Sequence, residues 1–233
     1  MNQSRRTTKE KKYVVTPYEG GGHYGSDEKK FPNVLRAIIV GSSNCGKTTL
    51  LMNFIYKDWL NYQYLYVFSK SLDQPLYKTL QERYSQVECE IGHQISFFFD
   101  KCEDVISVDE CKPNSLAVFD DCLLEKQGEI KHYFTRGRHK KISCIYLSQC
   151  YNLVDRQVIR NNANMIFVFP QNKHYLKNIY NDYVGSDMSL TDFTNLCNSC
   201  WEANYGFLTI NLTKKRDEGK YLNQLNEICL LKR

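Results

Sequence analysis

The sequence predicts an α/β fold built on one mainly parallel sheet with helices on both faces. Short apolar runs, which are typical of buried strands, alternate along the chain with segments of helical periodicity. One run, residues 34–40, leads directly into a glycine-containing turn and then a helix, as in a strand-helix unit of a parallel sheet. A chain of 233 residues, 42% hydrophobic and 24% charged, is long enough for one such domain.

The individual elements follow from local pattern. Aromatic and β-branched runs predict strands at 34–40, 63–68, 94–99, 116–119, 142–147, 165–169 and 205–212. Apolar positions at helical spacing predict a helix carrying Leu50, Leu51, Phe54, Ile55 and Trp59, and further helices over 75–84, 102–108 and 125–135. Another helix is expected after a capping box at residues 189–192.

Composition shifts divide the chain into three parts. Residues 1–32 are expected to form a basic disordered arm and a glycine-rich linker, and residues 33–212 the main domain. Residues 213–233 contain a charged break and then apolar positions at helical intervals, which predicts a C-terminal amphipathic helix. The formal net charge is +5, and residues 1–12 hold five basic residues against one acidic. Such an arm suggests contact with a polyanion, and a merely solubilising tail is the alternative.

The cysteine pattern indicates the compartment. Ten cysteines are scattered along the chain, and several lie inside apolar runs, where a free thiol behaves as a small hydrophobe. This usage indicates a reducing, intracellular setting. Because no apolar stretch reaches membrane-spanning length and the first residues are polar and basic, the protein is expected to be neither membrane-bound nor secreted.

Residues 41–48 read Gly-Ser-Ser-Asn-Cys-Gly-Lys-Thr and match the phosphate-binding pattern G-x-x-x-x-G-K-[ST] at every fixed position. With a strand before it and a helix after it, the loop can close backbone N–H groups around a phosphate at the positive end of the helix. A chance match in a strand-to-helix connection is the alternative. The expected cofactors are ATP and Mg²⁺, and the predicted binding residues are Gly41, Ser42, Ser43, Asn44, Cys45, Gly46, Lys47, Thr48 and Thr49.

Asp120 and Asp121 follow the buried run 116–119. A phosphate loop needs a carboxylate near the magnesium ion, usually at the end of a neighbouring strand, and Asp120 fits that role. Asp120 lies much further from Lys47 than the roughly thirty residues of a simple strand-helix-strand crossover, so at least one strand lies between them in sequence. This spacing is typical of P-loop NTPases with an additional central strand. Asp121 would then polarise the attacking water, and a helix N-cap is its alternative role.

Two more polar residues are candidates for the same reaction. Gln149 follows the strand 142–147, and ligands bind at the carboxyl ends of parallel strands, so it would contact the γ-phosphate or attacking water. The alternative is that Gln149 caps the next turn. Arg160, in an amide-rich segment before the strand 165–169, is expected to reach the nucleotide of a neighbouring subunit. Pairing with a surface carboxylate is its alternative, and Arg156 is the rival candidate.

The densest basic cluster of the main domain lies on the connection between the helix 125–135 and the strand 142–147. Such a cluster is expected to contact either a DNA backbone, without sequence preference, or another subunit. A solvated loop is the alternative. Its members are Arg136, Arg138, His139, Lys140 and Lys141.

Together these motifs resemble the poxvirus-type and virophage-type genome-packaging ATPases of the FtsK–HerA superfamily. The resemblance covers residues 33–212 and rests on residues 41–48, 66–69, 119–121, 137–139, 147–149 and 159–161. It implies an ATP-driven motor that forms a pentameric or hexameric ring and moves double-stranded DNA into a preformed capsid, with capsid or portal proteins as partners. It also implies a place of action in the host cytoplasm or viral factory, or on the virion.

The same resemblance assigns roles residue by residue. It implies that Lys47 and Thr48 contact nucleotide and magnesium, that Asp120 contacts magnesium, and that Asp121 activates water. Gln149 would then be the sensor and Arg160 the arginine supplied to a neighbour. Two other functions remain open from the sequence: an ATP-switched DNA-binding or capsid-adaptor protein with little turnover, and a small-molecule kinase.

Overall fold

The computed structural model describes residues 31–57, 59–101, 104–122 and 127–229. They form a single sheet of nine strands in the order β3-β2-β4-β5-β1-β6-β7-β8-β9. The strands are β1 (Arg36–Val40), β2 (Tyr64–Ser69), β3 (Ser96–Phe99), β4 (Ser115–Asp120), β5 (Ser143–Ser148), β6 (Met165–Val168), β7 (Leu208–Asn211), β8 (Tyr221–Asn223) and β9 (Glu227–Ile228). The helices are α1 (Lys47–Tyr56), α2 (Pro75–Ile91), α3 (Gly128–Arg136), α4 (Lys173–Tyr183) and α5 (Leu190–Trp201).

The central strands are parallel, as predicted. β1 lies between β5 and β6, and β5 separates it from β4, which carries Asp120. β5 is thus the additional central strand expected for this class, and β2 and β3 are the strands that lie between the phosphate loop and Asp120 in sequence, where the spacing predicts at least one. The parallel arrangement brings the carboxyl ends of β1, β2, β4 and β5 to one edge of the sheet.

The strands alternate their side chains between two apolar cores, because successive residues of a strand point to opposite faces. Ala37 and Ile39 of β1 pack in the core beneath α1 and α2. Their neighbours Ile38 and Val40 pack in the other core, to which α3, α4 and α5 contribute. Helices therefore cover both faces of the sheet, as the sequence predicts.

The predicted C-terminal helix is wrong. Residues 221–228 form an antiparallel hairpin of β8 and β9 that extends the sheet from β7. The apolar residues at helical intervals serve two different faces, since Tyr221 packs in one core and Leu225 in the other. Gln224 adopts the left-handed conformation of a turn, with φ 52°. The sheet thus continues beyond the predicted domain boundary at residue 212.

Three smaller differences concern the ends and connections of the main domain. Phe31 is buried against Phe54, with ring centroids 5.3 Å apart, so the packed structure begins before the predicted start at residue 33, and residues 1–30 lie outside the described part. Residues 105–108 are not helical, because the Ser107 and Glu110 side chains hold a turn there, while residues 102–103 lie outside the described residues. Helix α4 was not predicted.

Two further observations concern the state of the cysteines and the apolar character of the helices. Eight cysteines of the described part are free thiols, and Cys122 is disulfide-bonded, which differs from the expectation that the thiols are free. Across the described ranges no helix combines the length and the apolar character needed to cross a membrane.

Candidate nucleotide site

A cavity of about 350 Å³ opens at the carboxyl edge of the parallel strands. It collects residues from five separate parts of the chain, which the sheet order brings together. These are the phosphate loop and the start of α1, the connection from β2 to α2, the ends of β4 and β5, and the connection from α5 to β7. The residues that line it include Ser43, Asn44, Gly46, Lys47, Thr48, Thr49, Asp120, Asp121, Ser148 and Gln149.

The phosphate loop depends on its two glycines for different reasons. Gly46 has φ 105° in the left-handed region, where a Cβ would be strained, and Asn44 also has a positive φ of 59°. Gly41 is required by close packing, since a Cβ there would lie 2.5 Å from both Cys45 Sγ and Phe169 Cβ. The chain therefore reverses tightly enough to point its backbone into the cavity.

Lys47 begins α1 and is almost fully buried. Its Nζ atom donates hydrogen bonds to the carbonyl oxygens of Gly41 at 2.9 Å and Ser42 at 2.7 Å. Among the described residues no side chain caps the amino end of α1, so the first N–H groups of the helix are available to an anion. The ammonium group and the helix end together suit a phosphate group.

Asp120 accepts a hydrogen bond from a tyrosine of α2. The Tyr77 hydroxyl, which is buried, donates to Asp120 Oδ2 at 2.6 Å. Burial raises the pKa of Asp120 above its ordinary value and the neighbouring Asp121 adds to this, while Tyr77 and Lys47 oppose it. Burial and the nearby carboxylate also raise the pKa of Tyr77 well above its usual range, so Tyr77 stays a proton donor.

Asp121 and Gln149 reach the same cavity from neighbouring strands. Asp121 is exposed and has φ 58°, an uncommon backbone for a residue other than glycine. It is not the N-cap of α3, because that position belongs to Gln127. Gln149 protrudes from a turn in which the Ser148 hydroxyl bonds both backbone polar groups of Cys150.

The oxygen atoms in this cavity suit magnesium. Thr48 brings a hydroxyl and Asp120 a carboxylate, and Mg²⁺ is usually held by one or two such protein ligands together with water and phosphate oxygens. In the part of the chain that the structure describes, no group of three or more His, Cys, Asp or Glu side chains could hold a metal ion by itself. These residues therefore fit a magnesium ion that is shared with a bound nucleotide.

The structure does not bring Arg160 to the surface, contrary to its predicted role towards a neighbouring subunit. Its side chain is only 9% exposed, donates to Asp182 of α4 at 2.8 Å and lies over the Tyr151 ring at 4.7 Å. Arg156 pairs with the other oxygen of Asp182 at 3.2 Å and is 67% exposed. The two arginines thus share one carboxylate, and only Arg156 faces outward.

The basic cluster lies away from the cavity. It follows α3 and precedes β5, so it stands at the opposite edge of the sheet. Arg136 pairs with Asp109 at 2.6 Å, and Lys140 Nζ donates to the carbonyl oxygens of residues 108, 109 and 111. Arg138, His139 and Lys141 are exposed.

Sequence reasoning missed several residues of the site. Ser71, Gln74 and Leu76 line the cavity from the connection between β2 and α2. Their place follows from the pairing of Ser69 with Asp120 at the ends of β2 and β4, which a parallel neighbour order would have indicated. Tyr205 also lines the cavity, and no motif in the sequence marks it.

Comparison with known proteins identifies both the fold and the family. Genome-packaging NTPase B204 of Sulfolobus turreted icosahedral virus 2 has the same fold: the complex with AMPPCP gives a TM-score of 0.54 at 11% identity, covering 78% of this chain and 95% of that one. The complex with sulfate gives a TM-score of 0.55 at 13% identity, covering 78% of this chain and 93% of that one. B204, the DNA-packaging ATPase of Sulfolobus turreted icosahedral virus, gives a TM-score of 0.51 at 15% identity, covering 78% of this chain and 94% of that one.

Comparison at the level of sequence gives one family. No curated protein sequence matches this chain significantly. The family model of the poxvirus A32 protein matches residues 27–183, which is more than half of the chain and contains the phosphate loop, both aspartates and Gln149. The chain therefore belongs to the poxvirus A32 protein family of genome-packaging ATPases.

Proposed function

We propose that this protein hydrolyses ATP with Mg²⁺ and uses the energy to move double-stranded viral DNA into a preformed capsid, working as a homo-oligomeric ring inside the host cell. The observation that carries the proposal is the meeting of five reactive side chains in one cavity, although they come from three separate segments of the chain. They are Lys47, Thr48, Asp120, Asp121 and Gln149.

Each of these residues has a distinct part in the proposed reaction. When ATP binds, Lys47 would give up its hydrogen bonds to the two loop carbonyl oxygens and contact the β- and γ-phosphates. Thr48 and Asp120 would hold the magnesium ion that neutralises charge on those phosphates. Asp121 orients the attacking water and takes its proton, while Gln149 contacts the γ-phosphate side of the cavity.

DNA contact is proposed for the exposed members of the basic cluster, Arg138, His139 and Lys141, together with the basic residues of the arm. Arg136 and Lys140 are already engaged within the chain. Contacts of this kind reach phosphates and not base edges, so binding would not depend on DNA sequence. The same face could meet capsid or portal proteins.

The proposal is tested by ATP hydrolysis with and without duplex DNA. We expect turnover that rises with DNA of any sequence at low salt, where Lys and Arg contacts are strongest, and that is abolished by Lys47→Ala. The matched control is Lys78→Ala on α2, a lysine outside the cavity. Turnover that DNA does not stimulate at low salt would contradict the motor. An ATP-switched adaptor would be favoured if Asp121→Asn binds ATP and DNA as the unaltered protein does and neither protein shows measurable turnover.

A further inference from the structure

Tyr205 lies at the end of the cavity that the proposed phosphate chemistry leaves unused. It belongs to the connection between α5 and β7 and packs against the phosphate loop. A Cβ placed on Gly46 would lie 3.1 Å from Tyr205 Cδ1 and 3.2 Å from its Cβ. The side chain is nevertheless open to solvent, because the residue is 59% exposed, more than any other large apolar residue in the described part.

The order of the strands places this ring relative to a bound nucleotide. Along the site edge the sheet runs β4, β5, β1, β6 and β7. Asp120 ends β4 and Gln149 follows β5, so the γ-phosphate side of the site lies on one flank of the phosphate loop. Because β7 is antiparallel to β6, the start of β7 stands at the same edge, and Tyr205 stands on the other flank. A triphosphate with its γ-phosphate near Asp120 extends its nucleoside towards Tyr205.

The backbone holds this ring in place before any ligand binds. Tyr205 has φ 59°, a left-handed conformation that is costly for a bulky residue. The next residue, Gly206, donates its N–H to Ala203 O at 2.9 Å, and a Cβ there would lie 2.2 Å from Cys200 O. The connection is therefore held at a position where only glycine fits, and this keeps the backbone of Tyr205 beside the phosphate loop.

We propose that the Tyr205 ring stacks on the base of the bound nucleotide. The inference rests on the proposed ATP binding and adds to it the group that receives the base. An aromatic ring stacks on any base, because every base offers a π face. Tyr205 would therefore strengthen binding of ATP, GTP and CTP alike, and would add nothing to binding of a ligand that has phosphates and no base.

The experiment compares ATP with inorganic tripolyphosphate, both with Mg²⁺, by calorimetric titration of the full chain. For Tyr205→Ala we expect the affinity for ATP to fall about tenfold, in line with the loss of one base-aromatic stack. The affinity for tripolyphosphate should not change. Tyr205→Phe keeps the ring and should bind both ligands as the unaltered protein does.

A fluorescent variant gives a second, direct measurement. In Tyr205→Trp, ATP should quench the added indole emission and tripolyphosphate should not, after subtraction of the signal of the unaltered protein with its two tryptophans. An equal loss of affinity for both ligands in Tyr205→Ala would overturn the proposal, because the ring would then only shape the phosphate loop. If the unaltered protein binds neither ligand, the proposed ATP function itself fails.

Discussion

At the scale of single residues, the site is arranged around the support of one carboxylate. Asp120 ends a buried strand beside Asp121, and both burial and that neighbour oppose its ionised form. The Tyr77 hydroxyl donates to one of its oxygens. This contact fixes one oxygen of Asp120 and leaves the other for the magnesium side of the cavity, so Tyr77 acts as a positioning residue.

Replacing Tyr77 by phenylalanine should therefore weaken the magnesium-dependent part of nucleotide binding. The change removes one hydrogen bond to a charged group, worth about 1.5 kcal/mol or roughly tenfold in affinity, while the ring volume is kept. We expect the affinity for ATP to fall by this amount with Mg²⁺ and to stay unchanged in EDTA. Titration of ATP under both conditions measures the difference.

Tyr133→Phe is the matched control for that substitution. Tyr133 is equally buried, and its hydroxyl donates to the Ile106 carbonyl oxygen at 3.0 Å in the core on the other face of the sheet. It should lower stability by a similar amount and leave nucleotide binding unchanged under both conditions. An equal loss of ATP affinity in EDTA for Tyr77→Phe would contradict a role through Asp120.

The connection before β7 makes a second prediction at this scale. Gly206→Ala places a methyl group against Cys200 O and should lower the free energy of unfolding by about 2 kcal/mol or more, because backbone atoms must shift. Gly128→Ala is the control: a Cβ there meets nothing within 4 Å. Denaturant unfolding of both variants tests the difference, and equal stabilities would show that this connection yields easily.

At the scale of elements, a carboxylate ties the connection between α4 and α5 to strand β8. Burial alone would raise the pKa of Asp187, but the bonds from Lys220 and Tyr221 and the charge of Lys220 outweigh it and hold the pKa below its ordinary value. A depressed carboxyl pKa stabilises the fold at neutral pH. That stabilisation is lost as the pH falls below about 4, through the folded-state pKa.

Asp187→Asn should therefore reduce stability at neutral pH and flatten the loss of stability on acidification. Unfolding free energies of the variant and the unaltered protein, measured from pH 7 to pH 3, should converge at the acidic end. Asp192→Asn on α5 is a control whose carboxylate is exposed and, among the described residues, is bonded within its own helix end. Parallel curves for Asp187→Asn and the unaltered protein would exclude this contribution.

The sequence predicted the central elements because buried parallel strands are short, continuous apolar runs. β1, β4 and β5 appear where 34–40, 116–119 and 142–147 predict them. β2 and β3 lie between the phosphate loop and Asp120, where the spacing predicts at least one strand. The C-terminal hairpin was not predictable in this way, since Tyr221 and Leu225 pack on different faces of the sheet while their spacing mimics one helical stripe. Whether such a segment forms a helix or a strand depends on the neighbouring strand with which it can pair.

The site shows the same division between local and non-local information. The phosphate loop and the residues at strand ends are local patterns, and the sequence places Lys47, Asp120 and Gln149 in one cavity. Tyr205 enters only because β7 runs antiparallel, which no local pattern indicates. The ion pair of Arg160 was not predictable in this way, because its partner Asp182 lies on α4, a helix that the sequence did not predict.

At the scale of the whole molecule, the two arginines on Asp182 are expected to divide into a structural and a catalytic group. Arg160→Ala leaves the buried Asp182 carboxylate without its closest cation and should lower the free energy of unfolding by about 3–5 kcal/mol. Arg156→Ala removes an exposed side chain and should change stability little. Thermal and denaturant unfolding of the two variants separates these roles.

In the proposed ring, we therefore expect Arg156, the rival candidate from the sequence, to contact the nucleotide of a neighbouring copy. An arginine supplied in this way stabilises charge in the transition state, so Arg156→Ala should reduce DNA-stimulated ATP hydrolysis by about a thousandfold and leave ATP binding intact. Lys47→Ala should be inactive for a different reason, because it loses its own phosphate site. Mixing the two inactive proteins places an intact Lys47 site beside an intact Arg156 at some interfaces, and activity should return there. Mixed assemblies that contain both chains and stay inactive would show that Arg156 does not act across the interface.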